Sequence, residues 1–489
     1  MLPFVAAMSR PFPLRRRCVF GFAALASLLS AAPEPIEGKW TGVLRHGADV
    51  ADFGLEINRN EKNELIARFN LPAGHVVGAT LAPLASKDGH YTAQGFDLTA
   101  AGDTLSGTFA PSQLSFELQR ADTLPVPSPP PPAPTAPAPE WTYAGGQPFW
   151  ATPVVRAGIA YVGDEAGVLH AVRADTGALV WKVDLGAAIY GAAAIGPDGI
   201  YLVSDDGVLH ALEIKDGRER WRTDLGGREM PRGLPAGNSA DFDYRAPAPV
   251  LADSVLYIGS ADGACHAIDA KTGASRWRFS TRGKIRADAL LLPGRVVFAS
   301  HDGHVYALNR ADGALAWQFD TGGVINSAPV LAADLVIVGS RSAFIHALRA
   351  DDGQAVWRRF QWFSWVESPP VVENRILYVG SSDNRTVRAL DASTGATRWS
   401  TDVNGWAWAA PLIVGETIYA SSAGTSDYSP NPAPEGSLTA LDKRTGRILW
   451  RFRTEPRKDR YLHGFSGAPA SDGPRAIVAG LDGILRAFR

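Results

Sequence analysis

Short apolar segments separated by turn residues run through most of the chain. After residue 140, segments such as VLHAV and LVWKV are rich in β-branched and apolar residues, and they are long enough for strands but too short for helices. Asp-Thr-Gly or a close variant lies between them, and its glycine supplies the positive φ that a tight hairpin requires. The pattern predicts antiparallel hairpins throughout this region.

One hairpin recurs with constant spacing: an alanine, a glycine six residues later and a tryptophan ten residues later. The seven copies begin at Ala171, Ala211, Ala267, Ala307, Ala347, Ala389 and Ala440. A period of about 40 residues is typical of a propeller or a solenoid. We expect the tryptophans to pack between blades, each large ring covering the small alanine of a neighbouring blade. They are Trp141, Trp181, Trp221, Trp277, Trp317, Trp357, Trp399 and Trp450.

The two ends of the repeat region complement each other. The C-terminal GILRAFR matches the repeat strand through Ala487, but no hairpin or tryptophan follows it, whereas Trp141 in WTYAGG precedes the first complete copy. Both ends together would form an eighth blade, which removes exposed strand edges. We therefore predict an all-β protein: an eight-bladed β-propeller over residues 140–489, closed by both termini of the repeat region and preceded by a small β-barrel domain.

The first 32 residues have the pattern of a signal peptide. Arg10 and residues 15–17 form a basic start, an apolar stretch follows, and Ser-Ala-Ala ends it. Residues 1–32 therefore predict Sec-type export and a periplasmic or secreted protein. The Arg16-Arg17 pair leaves twin-arginine export open.

Two further segments precede the predicted propeller. Residues 36–120 form short alternating strands, and through GKWTGVL and DTLSGTFAPSQLSFELQR they resemble the lipocalin-like β-barrel modules of secreted bacterial proteins. Residues 124–139 contain nine prolines, which favour polyproline II and predict a semi-rigid linker.

The repeat frame, with an upstream element such as residues 257–260 followed by Asp262-Gly263, resembles the PQQ-repeat β-propellers. Within that family it is most similar to BamB, the propeller of the outer-membrane β-barrel assembly machinery. The family contains quinoprotein dehydrogenases, noncatalytic scaffolds and ligand sensors, so the resemblance implies the fold and leaves the chemistry open.

Two departures separate the chain from these relatives. Quinoprotein alcohol dehydrogenases carry a vicinal cysteine pair beside the cofactor, whereas this chain contains only Cys18 and Cys265. The assembly protein carries a lipidated N-terminal cysteine and no additional domain. Here Cys18 precedes the apolar stretch of the predicted signal, and a barrel and a proline-rich segment are added.

Propeller ligands bind at the channel mouth, on loops that lead into the innermost strands. The residues three positions before the proline of these loops, or at the equivalent place, are Trp150, Gly191, Ala246, Arg286, Asn326, Glu367, Trp408 and Ser466. This mixture of a cation, an anion, an amide and two indoles suits a small molecule or an ion. We predict a ligand site at Trp150, Arg286, Asn326, Glu367 and Trp408. The alternative is a hydrated rim of unrelated polar residues.

A quinoprotein would use these residues in a particular way. The resemblance implies that Glu367 and Asn326 would hold calcium, for which oxygen ligands are suited, that Arg286 would bind a ligand carboxylate, and that Trp150 or Trp408 would stack on a quinone. PQQ with calcium belongs to this alternative only, and the favoured function needs no cofactor. Asp288 is the nearest carboxylate by repeat position, but nothing marks it as a base, and no catalytic residue is predicted.

Long insertions are the second place where binding is expected, because long loops on a rigid scaffold commonly contact partners. Tyr244 and Arg245 lie in the insertion 226–246, Trp362 and Trp365 lie in FQWFSW, and a further insertion spans 424–435. Exposed aromatic residues of this kind suit a peptide or a glycan. The expected partner is an envelope protein or a small ligand. A sequence pI of about 6.6, with no basic stretch outside the signal, excludes nucleic acid. No membrane span is predicted, and a monomer is expected.

Two functions of different class follow. The favoured one is an exported, noncatalytic binding or scaffold propeller, in envelope protein assembly. The alternative is a PQQ-dependent oxidoreductase, or a sensor of quinones or small ligands, that uses the channel mouth.

Overall fold

The computed structural model describes residues 36–227, 232, 243–425, 435–456 and 462–489. The predicted signal peptide and parts of the insertions 226–246 and 424–435 lie outside the described residues. Residues 36–129 belong to one compact unit, and the described residues from 130 onwards belong to a second. Within the described residues, no helix is long and apolar enough to cross a membrane.

The N-terminal unit is a nine-stranded antiparallel sheet that forms a half-barrel. Its strands are β1 (Gly38–His46), β2 (Asp49–Arg59), β3 (Leu65–Leu71), β4 (Val76–Thr80), β5 (Ala85–Lys87), β6 (His90–Ala93), β7 (Phe96–Ala101), β8 (Thr104–Phe109) and β9 (Leu114–Arg120). They are ordered β4-β3-β2-β1-β9-β8-β7-β6-β5, so β4 and β5 are the two ends of the sheet. Short 3-10 helices, Pro72–Gly74 and Ala110–Ser112, lie after β3 and β8.

The inner face of this sheet is built from alternate residues. In β9 every second side chain from Leu114 to Leu118 is buried, as the two-residue period of a strand requires. Trp40 is fully buried, and its indole N–H donates to the carbonyl of Ile36 at 2.9 Å. The buried indole thus has its polar atom satisfied.

Both ends of the proline-rich segment are ordered against the unit to which each belongs. In the N-terminal unit, Pro125 lies so close to Gly54 that a Cβ there would be 2.5 Å from the proline ring. The Asn70 side chain also donates to the Pro125 carbonyl at 2.9 Å. In the second unit, the amide of Arg451 donates to the Pro134 carbonyl at 2.9 Å. Proline carbonyls still accept hydrogen bonds, although the residue has no N–H to donate.

The second unit confirms the predicted eight-bladed propeller, and each of blades 1–7 contains an antiparallel sheet of four consecutive strands. Blade 1 is β11–β14 (Val154–Arg156, Ile159–Gly163, Val168–Arg173, Leu179–Asp184), blade 2 is β15–β18 (Ala194–Ile195, Ile200–Val203, Val208–Leu212, Glu219–Asp224), and blade 3 is β19–β22 (Val250–Ala252, Val255–Gly259, Ala264–Asp269, Ser275–Ser280). Blade 4 is β23–β26 (Leu290–Leu292, Arg295–Ala299, His304–Asn309, Leu315–Asp320), and blade 5 is β27–β30 (Val330–Ala332, Leu335–Gly339, Phe344–Arg349, Ala355–Phe360). Blade 6 is β31–β34 (Val371–Glu373, Ile376–Gly380, Thr386–Asp391, Thr397–Asp402), and blade 7 is β35–β38 (Leu412–Val414, Thr417–Gly424, Ser437–Asp442, Ile448–Arg453), with β39 (His463–Gly464) paired to β36.

Blade 8 joins the two ends of the repeat region, as predicted. Its strands are β40 (Ala470–Ser471), β41 (Ala476–Ala479) and β42 (Ile484–Phe488), and β10 (Trp141–Ala144) completes it at the outer edge. Trp141 pairs with Ala487 in the register of the hairpins in the other blades. The ring is therefore closed by hydrogen bonds between distant parts of the chain.

The repeated tryptophans pack between blades, but the alanine of the repeat is not the residue that they cover. Trp317 is the cross-strand partner of Ala307 in its own blade. Its ring faces the next blade at Gly353, where an added Cβ would be 2.5 Å from the indole. Its N–H donates to the Ala350 carbonyl of that blade at 2.9 Å. The glycine, having no Cβ, leaves the space that the indole fills.

The same contact joins blade 8 to blade 1 and each following pair of neighbouring blades, up to blades 6 and 7. The tryptophan–glycine pairs are Trp141–Gly177, Trp181–Gly217, Trp221–Gly273, Trp277–Gly313, Trp317–Gly353, Trp357–Gly395 and Trp399–Gly446. Trp450 differs because it faces blade 8, whose outer strand comes from the other end of the repeat region and has no hairpin glycine. Its ring packs against Phe488 instead, with the ring centres 5.5 Å apart.

We predict that Gly313→Ala destabilises the propeller more than Gly294→Ala does. The two glycines have similar φ values, +73° and +69°, so each substitution meets the left-handed strain of about 1–2 kcal/mol. Only at Gly313 would the new Cβ meet an indole, at 2.7 Å from Trp277, whereas nothing lies within 4 Å at Gly294. Overpacking there adds about 1–3 kcal/mol. Equal losses in the midpoint of denaturant unfolding would contradict the proposed packing role.

Candidate functional site

Loops from distant blades meet on the propeller axis, at what we call the channel mouth. Tyr244 precedes β19 of blade 3, and its hydroxyl donates to the carboxylate of Glu367, which precedes β31 of blade 6, at 3.1 Å. Arg245 donates to the backbone carbonyls of Asn326 at 3.2 Å and Trp408 at 3.0 Å. Blades 3 and 6 are not neighbours in the ring, so these contacts are formed across the axis.

Glu367 is the centre of one hydrogen-bonded group and is 1% exposed. Its Oε1 accepts from Arg341 Nε at 2.6 Å, and its Oε2 accepts from Asn326 Nδ2 at 2.9 Å as well as from Tyr244. Burial alone would raise the pKa of Glu367, but the Arg341 guanidinium and these hydrogen bonds hold it below its usual value. The Arg341 guanidinium also lies over the Trp365 ring at 4.3 Å. Glu367 is therefore a charged carboxylate with both oxygens engaged.

Asp243 is the centre of a second group and is 2% exposed. Arg286 donates to its Oδ2 through Nη2 at 2.7 Å and Nε at 3.0 Å. Lys284 Nζ lies 3.2 Å from the same oxygen, and Arg232 Nη1 lies 3.4 Å from Oδ1. Although burial opposes ionisation, the Arg286 and Arg232 charges keep the pKa of Asp243 below its usual value. This buried anion thus neutralises cations from its own insertion and from the loop before blade 4.

An aromatic stack lies beside the two charged groups. The Tyr244 ring stacks on Trp408 with centres 4.5 Å apart, and Trp408 stacks on Trp406 at 5.0 Å. The Trp408 indole N–H donates to the Ser382 hydroxyl at 3.1 Å. Burial and the Glu367 carboxylate raise the pKa of Tyr244 well above its usual value, so its hydroxyl keeps the proton that it donates.

The five residues of the predicted ligand site occupy this region, but they contact the protein itself. Asn326 and Glu367 are bonded to each other, Trp408 reaches them through Tyr244, and Arg286 is paired with Asp243. Trp150 packs against the cluster that contains Tyr244 and Trp408. Asp288, which was considered as a base, accepts the backbone N–H of Ala248 at 2.6 Å, and burial raises its pKa.

The residues expected to contact a partner are also engaged within the chain. Tyr244 and Arg245 fill the channel mouth instead of projecting from a loop. Trp362 is 9% exposed and packs on Phe360, with ring centres 5.5 Å apart. Trp365 covers the Arg341 guanidinium. The aromatic insertion 360–365 therefore supports the site from within.

Sequence reasoning missed a second set of mouth residues, which lie on the loops between the second and third strands of the blades. Each directly follows a serine of the repeat: Asp205, His301, Arg341 and Ser382. His301 Nε2 lies 2.7 Å from Asn326 Oδ1, and Asp205 pairs with Arg232. A column of differing residues after a serine that recurs in most blades was the available signal.

Calcium does not fit between Glu367 and Asn326 as they are arranged. The carboxylate oxygens accept three hydrogen bonds, and the amide nitrogen of Asn326 donates to Glu367 while its oxygen contacts His301. An added cation would face the Arg341 and Arg245 guanidinium groups, which both lower the pKa of Glu367. No group of three His, Cys, Asp or Glu side chains suited to a metal occurs among the described residues. The oxygens of Glu367 are thus arranged for an ion pair with Arg341 and not for binding a metal.

We predict that Glu367→Gln destabilises the protein by about 3 kcal/mol at neutral pH, because it leaves the buried Arg341 charge without its anion. The folded-state pKa of Glu367 is depressed, so its contribution is complete above the unfolded value, about 4.3, and is lost as the pH falls through the folded value. The difference from wild type in unfolding free energy should therefore shrink as the pH falls below about 4.3.

The matched control is Glu416→Gln, since the Glu416 side chain is 85% exposed. Its unfolding free energy should stay within about 0.5 kcal/mol of wild type. A Glu367→Gln loss that does not depend on pH would show that Glu367 is not a charged partner of Arg341.

The sequence family described as outer membrane protein assembly factor BamB matches residues 136–241, 238–363 and 345–489. None of the curated proteins matches the chain.

Several solved structures are similar to the chain. The quinohemoprotein alcohol dehydrogenase from Comamonas testosteroni is 16% identical with a TM-score of 0.54, over 72% of this chain and 76% of that chain. The computationally designed Ika8 protein is 14% identical with a TM-score of 0.57, over 72% and 99%. BamB from Moraxella catarrhalis is 19% identical with a TM-score of 0.48, over 69% and 92%.

At these identities the structural likeness is one of fold alone, and a dehydrogenase and a designed protein share it equally. The family match is more informative, because its three segments together span residues 136–489. The chain belongs to the PQQ-repeat propeller family of outer membrane protein assembly factor BamB.

Proposed function

We propose that the protein is an exported, noncatalytic propeller that binds another envelope protein during envelope protein assembly. One observation carries this proposal: Arg286, Glu367 and Trp408 of the channel mouth are bonded to Asp243, Tyr244 and Arg245 of the same chain. A catalytic mouth needs donors that face the substrate or cofactor. Here Arg286, Asn326 and Arg341 donate to the protein's own carboxylates.

Three further features support the envelope role. The pattern of residues 1–32 is that of a signal peptide, which favours a periplasmic or secreted location. The chain belongs to a family that is described as outer membrane protein assembly factor BamB. The closed ring of blades is a rigid support, and such supports commonly bind partners through their loops.

The alternative is a PQQ-dependent oxidoreductase or a quinone sensor. For Glu367 to bind calcium, Tyr244 and Arg341 would have to leave its oxygens. For Trp408 to stack on a quinone, the Tyr244 ring would have to leave its face. The alternative thus requires the whole mouth to rearrange, and it is tested directly by cofactor binding.

We predict that PQQ with calcium causes no saturable quenching of tryptophan fluorescence at micromolar concentrations. The measurement uses the purified mature chain, with Glu367→Ala and the exposed-site control Glu416→Ala in parallel. Calcium-dependent quenching that is lost in Glu367→Ala and kept in Glu416→Ala would overturn the noncatalytic proposal and favour the quinone alternative.

We also predict that deleting the gene from its host lowers the amount of folded outer-membrane β-barrel proteins. Folded and unfolded barrels are separated by their heat-dependent migration in gels. The full chain should restore them, whereas a chain without residues 1–32 should not, because it stays inside the cytoplasm. Unchanged barrel levels in the deletion strain would contradict a role in this assembly.

A further inference from the structure

We infer that the channel mouth is a peptide-binding site for a segment in which an acidic, an aromatic and a basic residue follow one another, and that Asp243, Tyr244 and Arg245 occupy it as an internal ligand. The inference rests on the proposed protein-binding function. It assigns the binding to the channel mouth and names the class of peptide that binds there. We call these three residues the internal tripeptide.

Each side chain of the internal tripeptide has its own receptor in other parts of the ring. The Asp243 carboxylate is bound by Arg286 and Lys284. The Tyr244 ring lies on Trp408, and its hydroxyl reaches Glu367. The groups of these two receptors come from the loops before blades 4, 6 and 7. Such a division into separate side-chain subsites is how proteins recognise a short peptide.

The third receptor is made of backbone. The Arg245 guanidinium donates to the carbonyls of Asn326 and Trp408, at the ends of the loops before blades 5 and 7. Two carbonyls at this spacing suit the planar fork of an arginine, which presents several donors in fixed directions. A basic residue is therefore expected at the third position of a ligand.

The chemistry of these receptors selects the ligand. Without Asp243, the Arg286 guanidinium, which is 6% exposed, would lack the carboxylate that it binds at 2.7 Å. Charged hydrogen bonds of this kind are costly to leave unmade when buried. Without Tyr244, Glu367 would lose one donor and Trp408 would lose a stacked ring. A ligand must therefore supply a carboxylate, then a ring with a hydroxyl, then a guanidinium.

The internal tripeptide is not an element of the propeller itself. It lies before β19 and outside every strand, in an insertion that the other blades lack. The tryptophan–glycine contacts that join the blades involve none of its residues. Its replacement by an external segment consequently leaves the ring of blades closed.

Because the internal tripeptide is covalently attached, it competes with any external segment at a high effective concentration, in the millimolar range for short tethers. The wild-type protein should therefore bind an external peptide weakly. A variant that lacks the Asp243 and Tyr244 side chains should bind the same peptide more tightly, through the two subsites that these side chains leave. This order of affinities distinguishes a self-occupied binding site from an ordinary packed loop.

The test is calorimetric titration with the peptide acetyl-Phe-Asp-Tyr-Arg-Ala-amide. We expect the Asp243→Ala/Tyr244→Ala double variant to bind it at least tenfold more tightly than the wild-type protein does. Replacing tyrosine by alanine in the peptide should abolish binding, and adding Trp408→Ala to the double variant should weaken it at least tenfold. Cooperative thermal unfolding verifies that each variant is folded.

Three results would overturn the inference: no binding by the folded double variant, equal affinity of the double variant and wild type, or equal binding of the two peptides. If the double variant does not fold, the same titration is made on Tyr244→Ala, which keeps the Asp243–Arg286 pair and empties only the subsite on Trp408. This variant should bind the peptide more tightly than wild type does, and equal affinity of the two proteins overturns the inference. Normal rescue of outer-membrane barrels without peptide binding would refute only this inference, whereas peptide binding without any effect on barrels would refute only the proposed function.

Discussion

The ring of blades depends on the contact between a tryptophan of one blade and a hairpin glycine of the next. The indole fills the space that a missing Cβ leaves, and its N–H is bonded to a carbonyl of the same neighbouring hairpin, as for Trp317 with Gly353 and Ala350. A large apolar area and a directed hydrogen bond are thus combined in one side chain, which fixes the position of each blade against the next. Repetition of this contact holds the ring so that loops from blades 3 and 6 can meet within hydrogen-bond distance.

The side chains on those loops decide the chemistry, because the same fold supports unrelated functions. In this chain the mouth contains two buried carboxylates, Asp243 and Glu367, and each is surrounded by cations and neutral donors. A buried polar network that is fully bonded is rigid and specific, whereas removing one member leaves an uncompensated charge. The arrangement therefore resembles a protein–peptide contact within one chain. This internal pairing, and not the fold, is the basis of the proposal that the protein is noncatalytic.

The repeats made the fold predictable, since identical spacing of alanine, glycine and tryptophan requires identical hairpins. The closure of blade 8 was predictable from Trp141 and Ala487, because each end lacked what the other supplied. The partner of the tryptophans was assigned wrongly: alanine is their neighbour across the strand pair, and the next blade contributes glycine. Spacing along one chain segment does not tell these two contacts apart.

The channel mouth was predictable only in part. The variable column located Asn326 and Glu367, which do meet, but the insertion with Tyr244 and Arg245 was expected to face a partner. The described end of this insertion lies in the channel mouth because it pairs with Arg286 and Glu367 of other blades. A contact between such distant positions leaves no local sequence pattern. Arg341 lies on a different loop, between the second and third strands of blade 5, which the variable column does not include.

The most direct measurement is a crystal structure of the mature chain grown with PQQ and calcium. The account predicts that the Tyr244 ring remains on Trp408, with centres about 4.5 Å apart, and that Glu367 remains bonded to Arg341. A bound quinone on Trp408 with calcium at Glu367 and Asn326, and Tyr244 displaced, would contradict it.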